Sequence, residues 1–581
     1  MARRRTRIAV LGGVLLGIVV AAAAGSVVAR ALEVQDELGL AGSAAHEAAS
    51  AYQAGDPSGA TDAVERLRGH AAHAAGLSDD PLWRAAEIVP VIGANLAAVR
   101  IGSAQLDALA DRVATPVLEL MASTADSGTG ADVAALAAAS ETLETARATV
   151  RGAERALDEL ERTALVPQVA AEVDTLAEAL AAVAPVVEML ADAGGLVPDM
   201  LGIDGSRRVL VMVQNTAELR TGGGITGTFI ELIAVDGELT LGQQRDSSHF
   251  VPADRPLAAL PAGETASFGD GIGRFVQNAS MTADFDVTGR LASEWWRSAT
   301  GNVPDAVVSI DPIVLQAVLA VTGPIEAGDQ SLDAGNLVDR LLVEPYVTLA
   351  PEQQDGAFAR IAESVFARLT SGDLDLLRLF SALQQPVADG RVSVWSAHAA
   401  EQSALIDTAL GGPQARQRLA GEDAFAVYFN DATGGKMTPF LDIALGAGSA
   451  VCRDDGRAEV VVTATLTSAA PADAATALPV SVTGGGIWGA AVGDIAPTVT
   501  VAAPAGWYFG GVRLDGALVS SQDVDADGVS ASTRRTDLAP GRTRTLEFRF
   551  VSPEPGAVTP TVLHTPLLQE VDVEARVAEC G

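Results

Sequence analysis

Arg220 stands two residues after an acid, Glu218, and two before three successive glycines, Gly222, Gly223 and Gly224. These residue types in this order suit anion binding. A guanidinium offers a planar fork of donors that matches phosphate or carboxylate. Successive glycine amides form a concave nest because no Cβ intrudes. In an extended segment Glu218, Arg220 and Gly222 point to one face, so the acid can orient the guanidinium. Asp246, within Arg245-Asp246-Ser247, adds an oxygen ligand for a divalent cation. Plainer roles stay open for each. The glycines can form a tight strand connection with positive φ. Arg220 can pair with Glu218 or Asp246 to lock a hairpin, and Asp246 can close a strand-end turn.

Other chemistries find less support. Thr221–Gly227 has no Gly-Lys-Ser/Thr and no helix after its glycines, which sets aside a P-loop and a dinucleotide fingerprint. The six histidines are scattered, without His-Glu-x-x-His, and Gly-x-Ser-x-Gly is absent. No metal site is expected, and no catalytic residue or cofactor is assigned.

The glycines need strands to hold them. Val209–Val213 is an apolar run of strand length, and Phe229–Val235 is a second. Asp236-Gly237 suits a two-residue hairpin turn, with Glu238–Leu241 as the returning strand. Strand-like runs then alternate with helical ones. Asp311-Pro312 caps and starts a helix that Gly323-Pro324 stops. The last strand of this stretch is Ala424–Phe429. This alternation predicts an α/β domain over 201–435.

Asn215, Glu218, Arg220 and Gly222–Gly224 resemble the N-x-x-E-x-R-x-G-G signature of the bacterial domain-of-unknown-function 4012 family. The resemblance continues to about Thr300 and through Val307–Asp311 to Thr322-Gly323-Pro324. Asp246-Ser247 is similar to a loosely kept pair of that family. Its Ser-Pro-Asp-Phe-Pro segment reads Thr282-Ala283-Asp284-Phe285-Asp286 here, which leaves Asp284 as the matching polar residue. The resemblance implies architecture and location and no activity.

The outer regions read as follows. Arg3, Arg4, Arg5 and Arg7 precede Ile8–Ala29, which carries no charge. As a helix that stretch spans ~33 Å, about a bilayer core. Basic flanking residues keep 1–7 cytoplasmic, Ile8–Ala29 is the expected transmembrane helix, and the remainder is extracytoplasmic. A cleaved signal peptide is the alternative. No second apolar stretch of that length is expected. Residues 30–200 are Ala-rich with apolar residues at helical spacing, which predicts antiparallel helices of a bundle or coiled-coil-like stalk. Pro90 and Gly93 predict a bend there. Residues 436–581 carry short alternating runs broken by Gly, Pro and Asp, which predicts an immunoglobulin-like β-sandwich. Cys452 and Cys580 are the only cysteines. They bracket that domain, so a disulfide is expected in an oxidising compartment, with buried free thiols as the other reading.

The whole is therefore an α+β multidomain chain: anchor, helical stalk, α/β domain, β-sandwich. At 581 residues it is too long for one core, and its net charge is −35 with no basic face, which argues against nucleic acid. Lys436 is the only lysine. Two functions fit. One is a non-catalytic binding or scaffold protein of the cell envelope, whose glycine-rich loop holds an anionic glycopolymer or a lipid-linked phosphate. The other is a transferase. The layout is loosely similar to the LytR-CpsA-Psr enzymes, which attach glycopolymers to peptidoglycan from a polyprenyl-pyrophosphate donor.

Overall fold

Small side chains govern the N-terminal part of the fold, because alanine faces let helices approach closely. The computed structural model describes residues 2–581 except 55, 91, 125–128, 329, 343, 345–348, 350, 371–375, 452, 527, 528 and 576–581. The chain divides into two units, 1–199 with 375–380, and 200–374 with 381–581.

The first unit is helical: α1 (Ala2–Gln53), α2 (Pro57–Ser78), α3 (Pro81–Ala86), α4 (Gly93–Leu109), α5 (Thr115–Thr124), α6 (Thr129–Asp158) and α7 (Pro167–Met200). Asp56 caps α2 by accepting from the Gly59 amide at 3.0 Å, with Pro57 in the first turn. The expected bend at Pro90 and Gly93 is a full break between α3 and α4. There a Cβ on Gly93 would lie 1.8 Å from the Glu87 carbonyl oxygen. On α6, Leu143, Ala146, Val150, Ala153 and Leu157 are buried on one face, matching the helical period of the sequence.

Ile8–Ala29 lies within α1 and is helical throughout. A second long apolar stretch exists, contrary to the sequence reading. Among the residues searched, α7 is the helix long and apolar enough to cross a membrane. Its charges hide this in the sequence, and two of those in its C-terminal half are paired within the bundle. Glu188 meets Arg151 at 2.7 Å, and Asp192 meets Arg147 at 2.9 Å. With Leu180, Val187, Leu190 and Ala191 buried, α7 packs as a core helix of this unit.

The second unit opens with a mixed sheet. Its strands are β1 (Arg207–Asn215), β2 (Ile225–Val235), β3 (Glu238–Asp246), β4 (Ala306–Ile310) and, after a short hairpin of β5 (Ile325–Ala327) and β6 (Gln330–Leu332), β7 (Ser393–Ser396). Their order is β3-β2-β1-β4-β7, with β1 and β4 parallel and the other pairs antiparallel. Asp236 and Gly237 form the two-residue turn with φ of 51° and 81°. Alternation along β1 divides the sheet into two faces. Leu210 and Met212 pack with Phe229 against Trp295 and Trp296 of the helix Phe285–Thr300. Val211 and Val213 face the opposite layer, which contains the helices Pro312–Thr322, Leu337–Leu342 and Pro351–Leu369.

Two further sheets share one apolar core. One has the order β13-β12-β16-β10-β9-β18 and the other β14-β15-β11-β8-β17. The strands are β8 (Ala424–Asp431), β9 (Leu441–Ala450), β10 (Arg457–Ser468), β11 (Pro497–Pro504), β12 (Tyr508–Leu514), β13 (Ala517–Val519), β14 (Gln522–Ala526), β15 (Val529–Arg535), β16 (Thr543–Pro555), β17 (Thr561–His564) and β18 (Val573–Ala575). Phe425, Val427 and Phe429 of one sheet meet Val460, Val462 and Phe550 of the other. The run Ala424–Phe429, read above with the α/β domain, belongs here. It hydrogen-bonds to β11 and β17, and all eight residues of β8 are buried. The Cys452–Cys580 pair lies outside the described residues.

Candidate functional site

The turn from β1 to β2 carries Glu218, Arg220 and Gly222–Gly224, and its polar groups bond mostly inward. Asn215 starts it: its side-chain oxygen accepts from the Ala217 amide at 3.1 Å, and its carbonyl accepts from the Glu218 amide at 3.0 Å. The Glu218 carbonyl accepts from the Ile225 amide at 2.9 Å, which closes the loop. Each glycine has a separate task. Gly223 has φ of 118°, and a Cβ on Gly224 would lie 2.1 Å from the Asn215 carbonyl oxygen. The Gly222 amide donates to the Ser280 carbonyl at 3.2 Å, and the Gly223 amide donates to the Arg220 carbonyl at 2.8 Å. Two of the three amides of the expected nest are thus engaged with backbone oxygens.

Arg220 is buried at 6% exposure. Its Nη1 donates to the carbonyls of Leu219 and Asp431 at 2.9 and 2.8 Å. Glu218 pairs with Lys436 at 3.1 Å. The Asp431 carboxylate accepts from the Thr433 amide and hydroxyl at 3.0 and 2.7 Å and from the Gly434 amide at 3.0 Å. Burial pushes both carboxyls above their ordinary values, and the neighbouring cations and hydrogen bonds pull them back. Burial lowers Arg220, and Asp431 and Glu218 oppose that shift. Thr221 exchanges bonds with Asn430, its amide donating at 3.3 Å and its hydroxyl accepting at 3.0 Å. Leu219 is part of the apolar core of the paired sheets. The signature turn therefore joins the mixed sheet to the end of β8.

Asp311 and Asp284 also act at helix starts. Asp311 accepts from the Ile313 and Val314 amides at 2.9 and 3.1 Å, and Arg391 reaches its other oxygen at 2.6 Å. Asp284 accepts from the Asp286 amide at 3.0 Å.

Asp246 is elsewhere. It pairs with Thr228 on β2, four residues beyond Gly224, which is about 13 Å along a strand. It accepts from the Ser248 amide at 2.8 Å and ends β3. Asp246, Arg245, His249 and Gln244 line a cleft of about 380 Å³ whose far wall includes Gly356 and Ala359. Among the described residues no hydrogen bond or ion pair engages the Arg245 guanidinium, and its Nε is buried. In the sequence Arg245 carries no assigned role and stands beside the strand-end turn that Asp246 can close. Its neighbour Asp246 was the available signal. Lys436 and Asp431 were also passed over, although Lys436 is the only lysine in the chain.

Among the described residues no three His, Cys, Asp or Glu side chains converge as a metal site. No curated protein matches the chain. Residues 204–346, which hold the signature turn, β1–β4 of the mixed sheet and the β5–β6 hairpin, match the family model described as a protein of unknown function (DUF4012).

Proposed function

We propose that this is a membrane-anchored, extracytoplasmic protein of the bacterial cell envelope that binds an anionic ligand without transforming it. Supporting the anchor, the basic residues Arg3–Arg7 and the uncharged Ile8–Ala29 belong to one helix that continues to Gln53. Residues 30–200 then act as a spacer. The paired sheets act as an immunoglobulin-like interaction module, built around aromatic contacts such as Trp507 edge-on to Phe425 at 4.9 Å. Their outer strands β17 and β18 run parallel to their neighbours, a departure from a purely antiparallel sandwich.

The observation that carries the binding role is Arg245, a guanidinium in an open cleft with no partner among the described residues. Such a group matches phosphate or carboxylate oxygens, as found in anionic glycopolymers and lipid-linked phosphates. The Arg220 turn supports the site indirectly by fixing the sheet. Titration of the full chain with inorganic phosphate tests this. Arg245→Gln should remove binding and leave the melting temperature unchanged. Equal binding by wild type and R245Q would refute the site. Reporter fusions after residue 200 that are active only in the cytoplasm would refute the location. The second reading, a transferase, draws on the closeness of Arg245, Asp246 and His249 in one cleft. It requires that a bound phosphate ester be consumed.

A further inference from the structure

We propose that the ligand of the Arg245 cleft is amphiphilic, a phosphate ester whose apolar chain enters a second cavity beside the cleft. This rests on the anion-binding reading of that cleft, and its own ground is the cavity. About 160 Å³ of apolar space lies between the mixed sheet and the helix Pro351–Leu369. Val211, Ile230 and Leu232 form its sheet wall, and Phe358, Ile361 and Val365 form its helix wall. Thr228 lines both spaces. The same helix walls both, turning Gly356 and Ala359 to the cleft and Phe358 and Ile361 to the cavity. A molecule lying along it passes from polar to apolar surroundings at Thr228.

The backbone builds this junction. The β2–β3 register shifts between Ile230 and Leu232, so Ile230 faces Gln244 while Leu232 faces Leu241. The extra residue in β3 lies between Leu241, which lines the cavity, and Gln244, which lines the cleft. Gly242 sits in this bulge, where a Cβ would lie 2.7 Å from Glu231 Oε2. Glu231 itself turns to the opposite face, where it accepts from Trp296 Nε1 at 3.3 Å and Asn302 Nδ2 at 2.9 Å. Apart from Thr228, the cavity side is left with aliphatic and aromatic side chains. Surfaces of this kind gain dispersion contacts when methylenes fill the space.

Cavity size sets the chain. An apolar cavity of similar volume holds a benzene, so about six carbons fit. The test is calorimetric titration of the full chain in zwitterionic lipid nanodiscs with inorganic phosphate and with ethyl, butyl and hexyl phosphate, empty discs serving as blank. Affinity should rise about fourfold per added methylene and level off near about six carbons. Ala362→Phe, which fills the cavity, should flatten the series to the value for inorganic phosphate. Arg245→Gln should weaken every member by one common factor. Phosphate binding with no dependence on chain length in the wild type would overturn the amphiphile while leaving the anion site standing. Binding of neither phosphate nor any ester would overturn both. Hexanol binding as tightly as hexyl phosphate would overturn the role of Arg245. If A362F does not fold, as judged by circular dichroism, the wild-type series decides alone.

Discussion

Arg220 and Arg245 are the same side chain in opposite circumstances. Arg220 is buried and its Nη1 bonds to two backbone carbonyls, whereas Arg245 borders a cleft without a described partner. Their substitutions should therefore separate stability from binding. Arg220→Met leaves the carbonyls of Leu219 and Asp431 without this donor and removes a positive charge near the buried Glu218 and Asp431. Removing one member of a buried charge cluster costs about 3–5 kcal/mol, so R220M should lower the urea midpoint sharply, and R245Q should not. An unchanged midpoint in R220M would show that the turn is not a clamp. The glycines divide in the same way. Gly224→Ala places a methyl on the Asn215 carbonyl and should cost about 1–3 kcal/mol. The nearest atom to a Cβ on Gly222 is 3.7 Å away, so Gly222→Ala should stay within about 0.5 kcal/mol. Equal losses at both positions would contradict this division of labour.

Among the elements, the strand ends make the next prediction. β18 pairs in parallel with β9, Val573 opposite Leu445 and Ala575 opposite Ala447. In sequence Cys452 follows β9 and Cys580 follows β18, so the expected disulfide is testable chemically. Peptide mapping of the full chain, folded under oxidising conditions and without reductant, should recover the two cysteines as one linked pair. On the chain-entropy picture, closing so long a loop stabilises by up to about 4–5 kcal/mol. Recovery of both thiols in alkylated form would refute the bridge. Several element positions were legible where the pattern had a period or a turn. The Asp236-Gly237 hairpin, the apolar face of α6 and the Asp311 cap all follow from local chemistry. β8 did not, because a strand buried on both faces has no alternation to report which sheet it joins. The partners of Arg220 were illegible for a related reason. Asp431 lies more than 200 residues away, and no local rule reaches that far. Leu219 had a faint signal, an apolar side chain in a polar stretch, and the core of the paired sheets explains it.

At the scale of the whole molecule, charge sets the pH dependence. Glu218, Asp284, Asp311 and Asp431 in the second unit, and Asp192 in the first, all titrate above their ordinary values, with burial the largest cause in each. A carboxyl with a raised native pKa binds protons in the folded state before the unfolded chain does. Between neutral pH and the ordinary carboxylate values, 3.8 to 4.5, the native state thus holds more protons. Stability must then rise as the pH falls through the raised values, and this gain levels off below the ordinary ones. Glu37, Asp56, Asp455 and Asp515 are shifted downward by hydrogen bonds and cations, and they act in the opposite sense at lower pH. Asp56, Asp455 and Asp515 are exposed, so solvent screens them and they contribute less. The net charge of −35 adds self-repulsion that acid also relieves. The melting temperature at fixed ionic strength should therefore climb from pH 8 to about pH 5 and fall below about pH 4. Added salt should raise it at pH 8, where repulsion is greatest, and do little at pH 5. A melting temperature that falls steadily from pH 8 to pH 5 would mean that the buried carboxylates are stabilised as anions, with Lys436, Arg220 and Arg391 outweighing the cost of burial.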